Sequence, residues 1–225
     1  LAWGAQPPLL VIALGETARS SNFSLNGYAR NTNPELQSQG VLSYRQVTSC
    51  GTSTAASLPC MFSHLGREGY EARTAEYENL LDVLTRAGYH VMWIDNQSGC
   101  KGLCDRIPSV RTSQLSLKTD LCKQGECLDA VLLPVLQEQL AKWRTQAPHA
   151  PHASAGTVVV LHLMGSHGPA YFKRSQAPHK PFQPECTSPV LSDCSNAEIV
   201  NAYDNSLVYT DHVLSGLIQW LRQQA

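Results

Sequence analysis

The stretch SCGTSTAASLPC (49–60) sets two cysteines, Cys50 and Cys60, around a run carrying Thr52, Ser53 and Thr54. A hydroxyl run bracketed in this way suits either a stapled surface turn or a nucleophile held in place by its staple. Three other polar residues stand at the ends of apolar runs. Glu16 follows LLVIAL (9–14), Asp95 ends YHVMWID (89–95), and His167 follows TVVVLHLM (157–164). A threonine hydroxyl is scarcely ionised at neutral pH, so it attacks only with a base or a metal beside it. A carboxylate, a hydroxyl and a histidine meeting at one sheet edge therefore suggest a metal-activated alcohol. Zinc supplies that activation by lowering the pKa of the oxygen it binds.

The elements that must position these residues are readable from periodicity. The three apolar runs are short and rich in Val, Ile and Leu, which predicts buried strands of a parallel sheet. AEYENLLDVLTRAG (75–88) predicts a helix with Leu80, Leu81 and Leu84 on one face and Gly88 as its C-cap. CLDAVLLPVLQEQLAKW (127–143) has helical period, with Pro134 forcing a kink or a late start. Ser195 and Glu198 are spaced as a capping box. They open a long helix whose apolar positions are Ile199, Tyr203, Leu207, Leu214, Leu217 and Leu221. Alternating strands and helices predict an α/β three-layer sandwich with a mainly parallel sheet and right-handed crossovers. Ligands in such sheets collect beyond the carboxyl ends of the strands. Two loops interrupt the pattern, RTQAPHAPHASAG (144–156) and SQAPHKPFQPECTSPVLSDC (175–194).

A chain of 225 residues and 24.6 kDa has length for one sizeable core. Its net charge of −1, with 16% charged residues, shows no electrostatic footprint for nucleic acid. No apolar run approaches the ~18–20 residues needed to span a bilayer, and the start at Leu1 is not a signal peptide. The eight cysteines fall as local couples: Cys50 with Cys60, Cys100 with Cys104, Cys122 with Cys127, and Cys186 with Cys194. Formally they allow on the order of 100 pairings, but the grouping favours the local one. A zinc ribbon needs CxxC knuckles, and the sequence has none. Disulfides are expected, and with them an oxidising compartment. Each bridge would contribute roughly 2–3 kcal/mol in the chain-entropy picture, and would pin a loop rather than rescue the core.

Five longer motifs carry a resemblance. ALGETARSSNFSLNGYARNTNP, TSCGTSTAASLPCMFSHLG, WIDNQSGCKGLCDRIP, LMGSHGPAYFKR and NAYDNSLVYTD resemble, in order from about residue 9 to 222, the phosphoethanolamine–lipid A transferases. That family includes the mobile colistin-resistance enzymes and lies within the alkaline phosphatase-like superfamily. The resemblance implies that Thr54 is the nucleophile that carries phosphoethanolamine covalently, at the start of a helix. It implies that Glu16 and Thr54 are zinc ligands and that His167 binds substrate or a second zinc. Lys101 is implied to lie near the phosphoethanolamine. Gln97 stands where the family often has asparagine; it can still hydrogen-bond, with a different reach. Cys50 and Cys60 match a family disulfide. The family completes its zinc site with an Asp-His pair in a DHGE motif on a later strand, which these residues do not include. TDH (210–212) is no substitute, since it falls mid-helix.

The expectation is therefore a periplasmic catalytic domain over residues 1–225, truncated before the DHGE-type motif and lacking its C-terminal part, with the upstream transmembrane domain absent. The fragment alone would bind zinc weakly or not at all and transfer nothing. The parent would be a monomeric zinc-dependent transferase of the bacterial inner membrane. It would take phosphoethanolamine from phosphatidylethanolamine and give it to lipid A, conferring polymyxin and colistin resistance. Two alternatives stand beside it. A superfamily phosphodiesterase or sulfatase-type hydrolase needs a different nucleophile signature. A non-catalytic remnant would only bind lipid headgroups. Elsewhere, His162 reads as a core histidine, and His149, His152 and His179 as solvated loop residues. Asp204 and Asp211 are expected to make structural hydrogen bonds. Arg19, Arg30, Lys173 and Arg174 read as surface charge, with lipid A phosphates as the sharper alternative.

Overall fold

The structure is a computed structural model that describes residues 7–123, 125–146 and 155–224. In chain order its regular elements are β1 (Leu9–Leu14), α1 (Pro34–Ser38), α2 (Thr54–Met61), α3 (Gly66–Glu71), α4 (Leu80–Arg86), β2 (Tyr89–Asp95), β3 (Ser109–Arg111), β4 (Cys122–Lys123), β5 (Glu126–Cys127), α5 (Leu132–Gln146), β6 (Gly156–His162) and α6 (Asn196–Arg222). Chain contacts divide it into two compact units.

The first unit holds β1, residues Thr48–Leu117, α5 from Pro134 onward, and β6. Its sheet has the order β1-β6-β2-β3 with every pairing parallel. The register aligns Leu14, His162 and Asp95 at the carboxyl ends of β1, β6 and β2. Leu58 of α2, Phe62 just after it, Leu81 of α4 and the loop residues Cys100, Leu103 and Ile107 pack with Val91, Trp93, Val158 and Val160 on one face. On the alternate side of β2, the His90 ring stacks on Trp143 of α5 with centroids 3.4 Å apart. Helix, sheet and helix thus form the three expected layers within this unit. Its two disulfides join Cys50 to Cys60 and Cys100 to Cys104, as the local grouping predicts. The second of these closes the loop after β2, with Cys100 buried in the core and Cys104 packed against it from the partly buried rim.

Two expectations need correction. β2 and β6 are buried strands, but among the described residues β1 stands at the sheet edge, with Leu10 52% exposed. With one neighbouring strand it cannot be covered as the central pair is. The helix expected from residue 75 begins at Leu80, because Asn79 caps it. The Asn79 Oδ1 accepts the Leu81 N–H at 2.8 Å, and Asp82 returns a bond to the Asn79 N–H at 2.9 Å. Leu80 is thereby turned outward while Leu81 is fully buried. α5 starts late, as Pro134 demands, with the proline in the first turn where its missing N–H costs nothing.

The second unit takes in Gly15–Val47, Lys118–Leu133 and the chain from Leu163 on. α6 is its axis, opened by the predicted Ser195/Glu198 capping box. Buried Asp204 accepts from Asn22 Nδ2 and Tyr28 Oη, each at 2.9 Å, and pairs with Arg30 at 2.8 Å. Asp211, 1% exposed, accepts the N–H groups of Glu35 and Leu36 at 2.8 and 3.0 Å. Burial pushes its carboxyl up to about 6, against the pull of those two N–H groups. These are the structural bonds expected of both aspartates. The remaining two disulfides join Cys122 to Cys127 across the β4–β5 hairpin and Cys186 to Cys194 in the loop before α6. Buried Cys186 also donates its N–H to the Glu198 carbonyl at 3.0 Å, and Cys194 is half-buried just ahead of the Ser195 cap. All eight cysteines are therefore paired as expected. No described helix is long and apolar enough to cross a membrane.

Candidate functional site

Thr54 is the first residue of α2, half-buried and directly behind its N-cap. The Ser53 Oγ accepts the Ala56 N–H at 3.3 Å. A Cβ on Gly51 would lie 2.9 Å from the Ala56 Cβ, so the turn can approach the helix this closely only with glycine there. The Cys50–Cys60 bridge ties that turn to the far end of the helix. The Thr54 oxygen is thus presented at a helix N-terminus, where the dipole and the first-turn N–H groups favour negative charge.

The loop after β2 is organised by Asp95, 2% exposed. Its carboxylate accepts from Trp93 Nε1 at 2.9 Å and from His162 Nδ1, the Gln97 N–H and the Gly99 N–H, each at 3.0 Å. Burial alone would raise its pKa. The bonds from His162, Trp93 and Gly99 win and hold it down to about 2. An ionised carboxylate only accepts, so His162 Nδ1 carries the hydrogen. His162 is then the buried sheet histidine expected of it. Ser98, which sequence reasoning passed over, joins two candidates. Gln97 Oε1 accepts from Ser98 Oγ at 2.6 Å, and Lys101 Nζ donates to Ser98 Oγ at 2.9 Å and to its carbonyl at 3.1 Å. Lys101 holds a positive φ of 52°. It also lines a cleft of about 370 Å³ with Tyr70, Arg73 and Tyr77.

In the second unit the segments carrying Glu16 and His167 lie against each other. The Ser166 N–H donates to the Glu16 carbonyl at 2.9 Å. Gly165 has φ +53°, and a Cβ there would sit 2.8 Å from both the Glu16 N and O. Asp129 fixes the same turn by accepting the Met164 and Gly165 N–H groups, each at 2.7 Å. Thr17, with φ 55°, donates its hydroxyl to Glu16 Oε1 at 2.9 Å. Among the described residues, Thr17 and Lys101 are the non-glycine residues with positive φ, and such strain concentrates where geometry matters for function.

Arg174 departs from its expected place on the surface. Its side chain is 8% exposed, donates to the His167 carbonyl at 3.0 Å and pairs with Glu126 at 3.2 Å. It shapes the His167 turn instead of awaiting a phosphate. Arg30 is committed to Asp204, and Arg19 to Asn22 at 2.9 Å and the Tyr203 ring. Lys173 lines a cleft of about 770 Å³ with Lys123 and Arg174. His179 is not simply solvated. It is half-buried and stacked on His212 with centroids 3.8 Å apart. Burial and the neighbouring His212 hold its pKa down, with Glu35 opposing. His149 and His152 lie outside the described residues.

Thr54, Gln97 and Lys101 belong to the first unit, and Glu16 and His167 to the second. Glu16 and Thr54 offer two oxygen donors, fewer than the three or four protein ligands zinc normally has. Neither Glu16 nor His167 joins the one group of three metal-ligating side chains found among the described residues, which is Glu35, His179 and His212. The residues present therefore do not by themselves complete the expected zinc site.

A model of the sulfatase family matches residues 8–225. The chain is 42% identical over 216 residues to phosphoethanolamine transferase EptA of Escherichia coli K12, covering 96% of this chain and 38% of that protein. It is 41% identical over 224 residues to phosphatidylethanolamine transferase Mcr-1 of Escherichia coli, covering 96% and 40%. The chain therefore spans about two-fifths of the length of these relatives. Its structure is similar to the soluble domain of lipooligosaccharide phosphoethanolamine transferase A from Neisseria meningitidis. The TM-score is 0.87 at 40% identity, covering 98% of this chain and 64% of that one.

Proposed function

The chain belongs to the sulfatase family, and we propose that it is the catalytic part of a phosphoethanolamine transferase that modifies lipid A, with Thr54 as nucleophile. The observation that carries this reading is Thr54 at a capped, disulfide-held helix start, a place suited to an anionic oxygen and its phosphate ester. The names of the relatives at about 40% identity support it.

In this reading the Thr54 Oγ attacks the phosphorus of phosphatidylethanolamine. The bond from phosphorus to the glycerol oxygen breaks, and diacylglycerol leaves with the proton. A P–OH oxygen of a lipid A phosphate then attacks the phosphothreonine; the bond from phosphorus to Thr54 Oγ breaks, phosphoethanolamine passes to lipid A, and the acceptor's proton restores the alcohol. Lys101, steadied through Ser98 beside Gln97, offsets phosphate charge. His167, on the turn held by Asp129 and Arg174, contacts substrate. The added ammonium offsets lipid A's negative charge and weakens its attraction for cationic polymyxins.

Zinc is the metal this chemistry implies, and when bound it supplies activation of the oxygen it holds. Glu16 would contribute one donor and Thr54 another, short of the three or four protein ligands that zinc normally has. Transfer is accordingly assigned to the whole protein, a monomer in the bacterial inner membrane with this domain on the periplasmic side, and not to these residues alone. The disulfides accord with that compartment.

Peptide mass spectrometry of the full-length protein incubated with phosphatidylethanolamine should find phosphoethanolamine on Thr54. Thr54→Ala should abolish both the adduct and polymyxin protection at unchanged protein abundance. An adduct on another residue, or protection retained by the variant, overturns the assignment. Release of unattached phosphoethanolamine without lipid A modification would mark a hydrolase instead.

A further inference from the structure

The second unit brings together three side chains that the transfer chemistry does not use. Glu35 lies in the first turn of α1, His212 in the middle of α6, and His179 in the loop between residues 175 and 185. One ligand atom from each lies within 4.8 Å of the others. We propose that Glu35, His179 and His212 form a site for a single late transition-metal dication of the zinc type, separate from the Thr54 chemistry.

The donor set favours this class of ion. Two imidazoles and one carboxylate suit zinc, cobalt, nickel or copper rather than calcium or magnesium, which prefer all-oxygen shells. At zinc–ligand bonds of about 2.0–2.1 Å, neighbouring donors of a tetrahedral site stand roughly 3.3 Å apart. His212 Nδ1 and Glu35 Oε1 are already 2.9 Å apart, sharing a hydrogen. An ion replacing that hydrogen needs the pair to open by a few tenths of an ångström. The His179 donor must close in from at most 4.8 Å. Its ring now lies 22° from the plane of His212, so it must also turn until its lone pair meets the ion.

The supports are rigid where they need to be. Asp211 takes the N–H groups of Glu35 and Leu36, which fixes the first turn of α1 to α6 beside His212. Gln39 Nε2 adds a bond to Ser215 Oγ at 3.1 Å. The His179 loop is anchored just after the histidine, by Lys180 Nζ on the Phe172 carbonyl at 2.8 Å and by Phe182 N–H on Asn205 Oδ1 at 3.0 Å. The side chains of His212 and Glu35 are 42% and 37% exposed, which leaves room for water as the fourth ligand. A bound ion would clamp α1, α6 and this loop together.

Cobalt(II), whose visible absorption reports tetrahedral nitrogen and oxygen ligation, is the probe, titrated into the purified chain carrying no polyhistidine tag. One ion per chain should bind, displaceable by zinc. His212→Ala and Glu35→Gln should each weaken binding by at least the roughly 10–100-fold that loss of a ligand's hydrogen-bond partner costs, with unchanged circular dichroism. Glu16→Ala should leave it intact, which separates this site from any zinc bound beside Thr54. Absence of cobalt binding, binding that survives His212→Ala, or binding abolished by Glu16→Ala overturns the proposal.

Discussion

Replacing Asp95 with asparagine tests the reasoning about the loop that carries Gln97 and Lys101. Four donors converge on this carboxylate, from Trp93, His162, Gln97 and Gly99. Two routes give the size of the loss. The pKa falls from its ordinary 3.8 to about 2, which at about 1.4 kcal/mol per unit favours the ionised form by roughly 2–3 kcal/mol. Independently, asparagine offers one acceptor oxygen and turns an NH₂ toward the other donors. Each buried donor left without a partner costs about 1–3 kcal/mol. Asp95→Asn should therefore lower unfolding free energy by ~3 kcal/mol at pH 7. The pH sign follows from a depressed folded-state pKa. The stabilisation is fully present above 3.8 and is lost as pH falls through about 2. Urea unfolding of the oxidised protein, followed by tryptophan fluorescence between pH 7 and pH 2.5, measures both. Down to pH 2.5, still above the folded pKa of about 2, the wild type should lose roughly 1.5 kcal/mol more than the variant. A variant within about 0.5 kcal/mol of wild type at pH 7, or acid limbs that run parallel, would refute the account.

Gly165→Ala forces a side chain into the left-handed region and against the Glu16 backbone. It should cost about 2 kcal/mol, read as a fall of roughly 4–8 °C in Tm, and a neutral result would sink the close-approach argument. Replacing Cys50 and Cys60 together by serine opens a loop of sequence separation 10. In the chain-entropy picture this removes about 2.7 kcal/mol. It should also reduce phosphoethanolamine loading of Thr54 in the full-length protein, and unchanged loading would show that the staple does not serve the nucleophile.

Features set by neighbours in sequence were legible. The Val-rich runs of β2 and β6 and the Ser195/Glu198 box needed only local pattern. So did the pairing of each cysteine with the next. The edge position of β1 was not, because LLVIAL carries the same apolar signal whichever strand it neighbours. The start of α4 was misplaced because Asn79 competes as a cap with a helical period that continues upstream. Thr54 stood out through its glycine, its cysteines and the family motif, all within a dozen positions. Arg174 looked like surface charge because its partners Glu126 and the His167 carbonyl are set by the fold. Glu35 and His212 are 177 positions apart, and TDH in mid-helix gave no hint that a glutamate from α1 would face it.

The disulfide connectivity has a consequence for biogenesis. Each bridge closes between one cysteine and the very next in the chain, at separations of 10, 4, 5 and 8. A polypeptide threaded outward from its amino end therefore delivers both partners of one couple before either partner of the following couple emerges. Oxidation in order of arrival yields the native set with no reshuffling, so an oxidase acting on the emerging chain would suffice where an isomerase would otherwise be required.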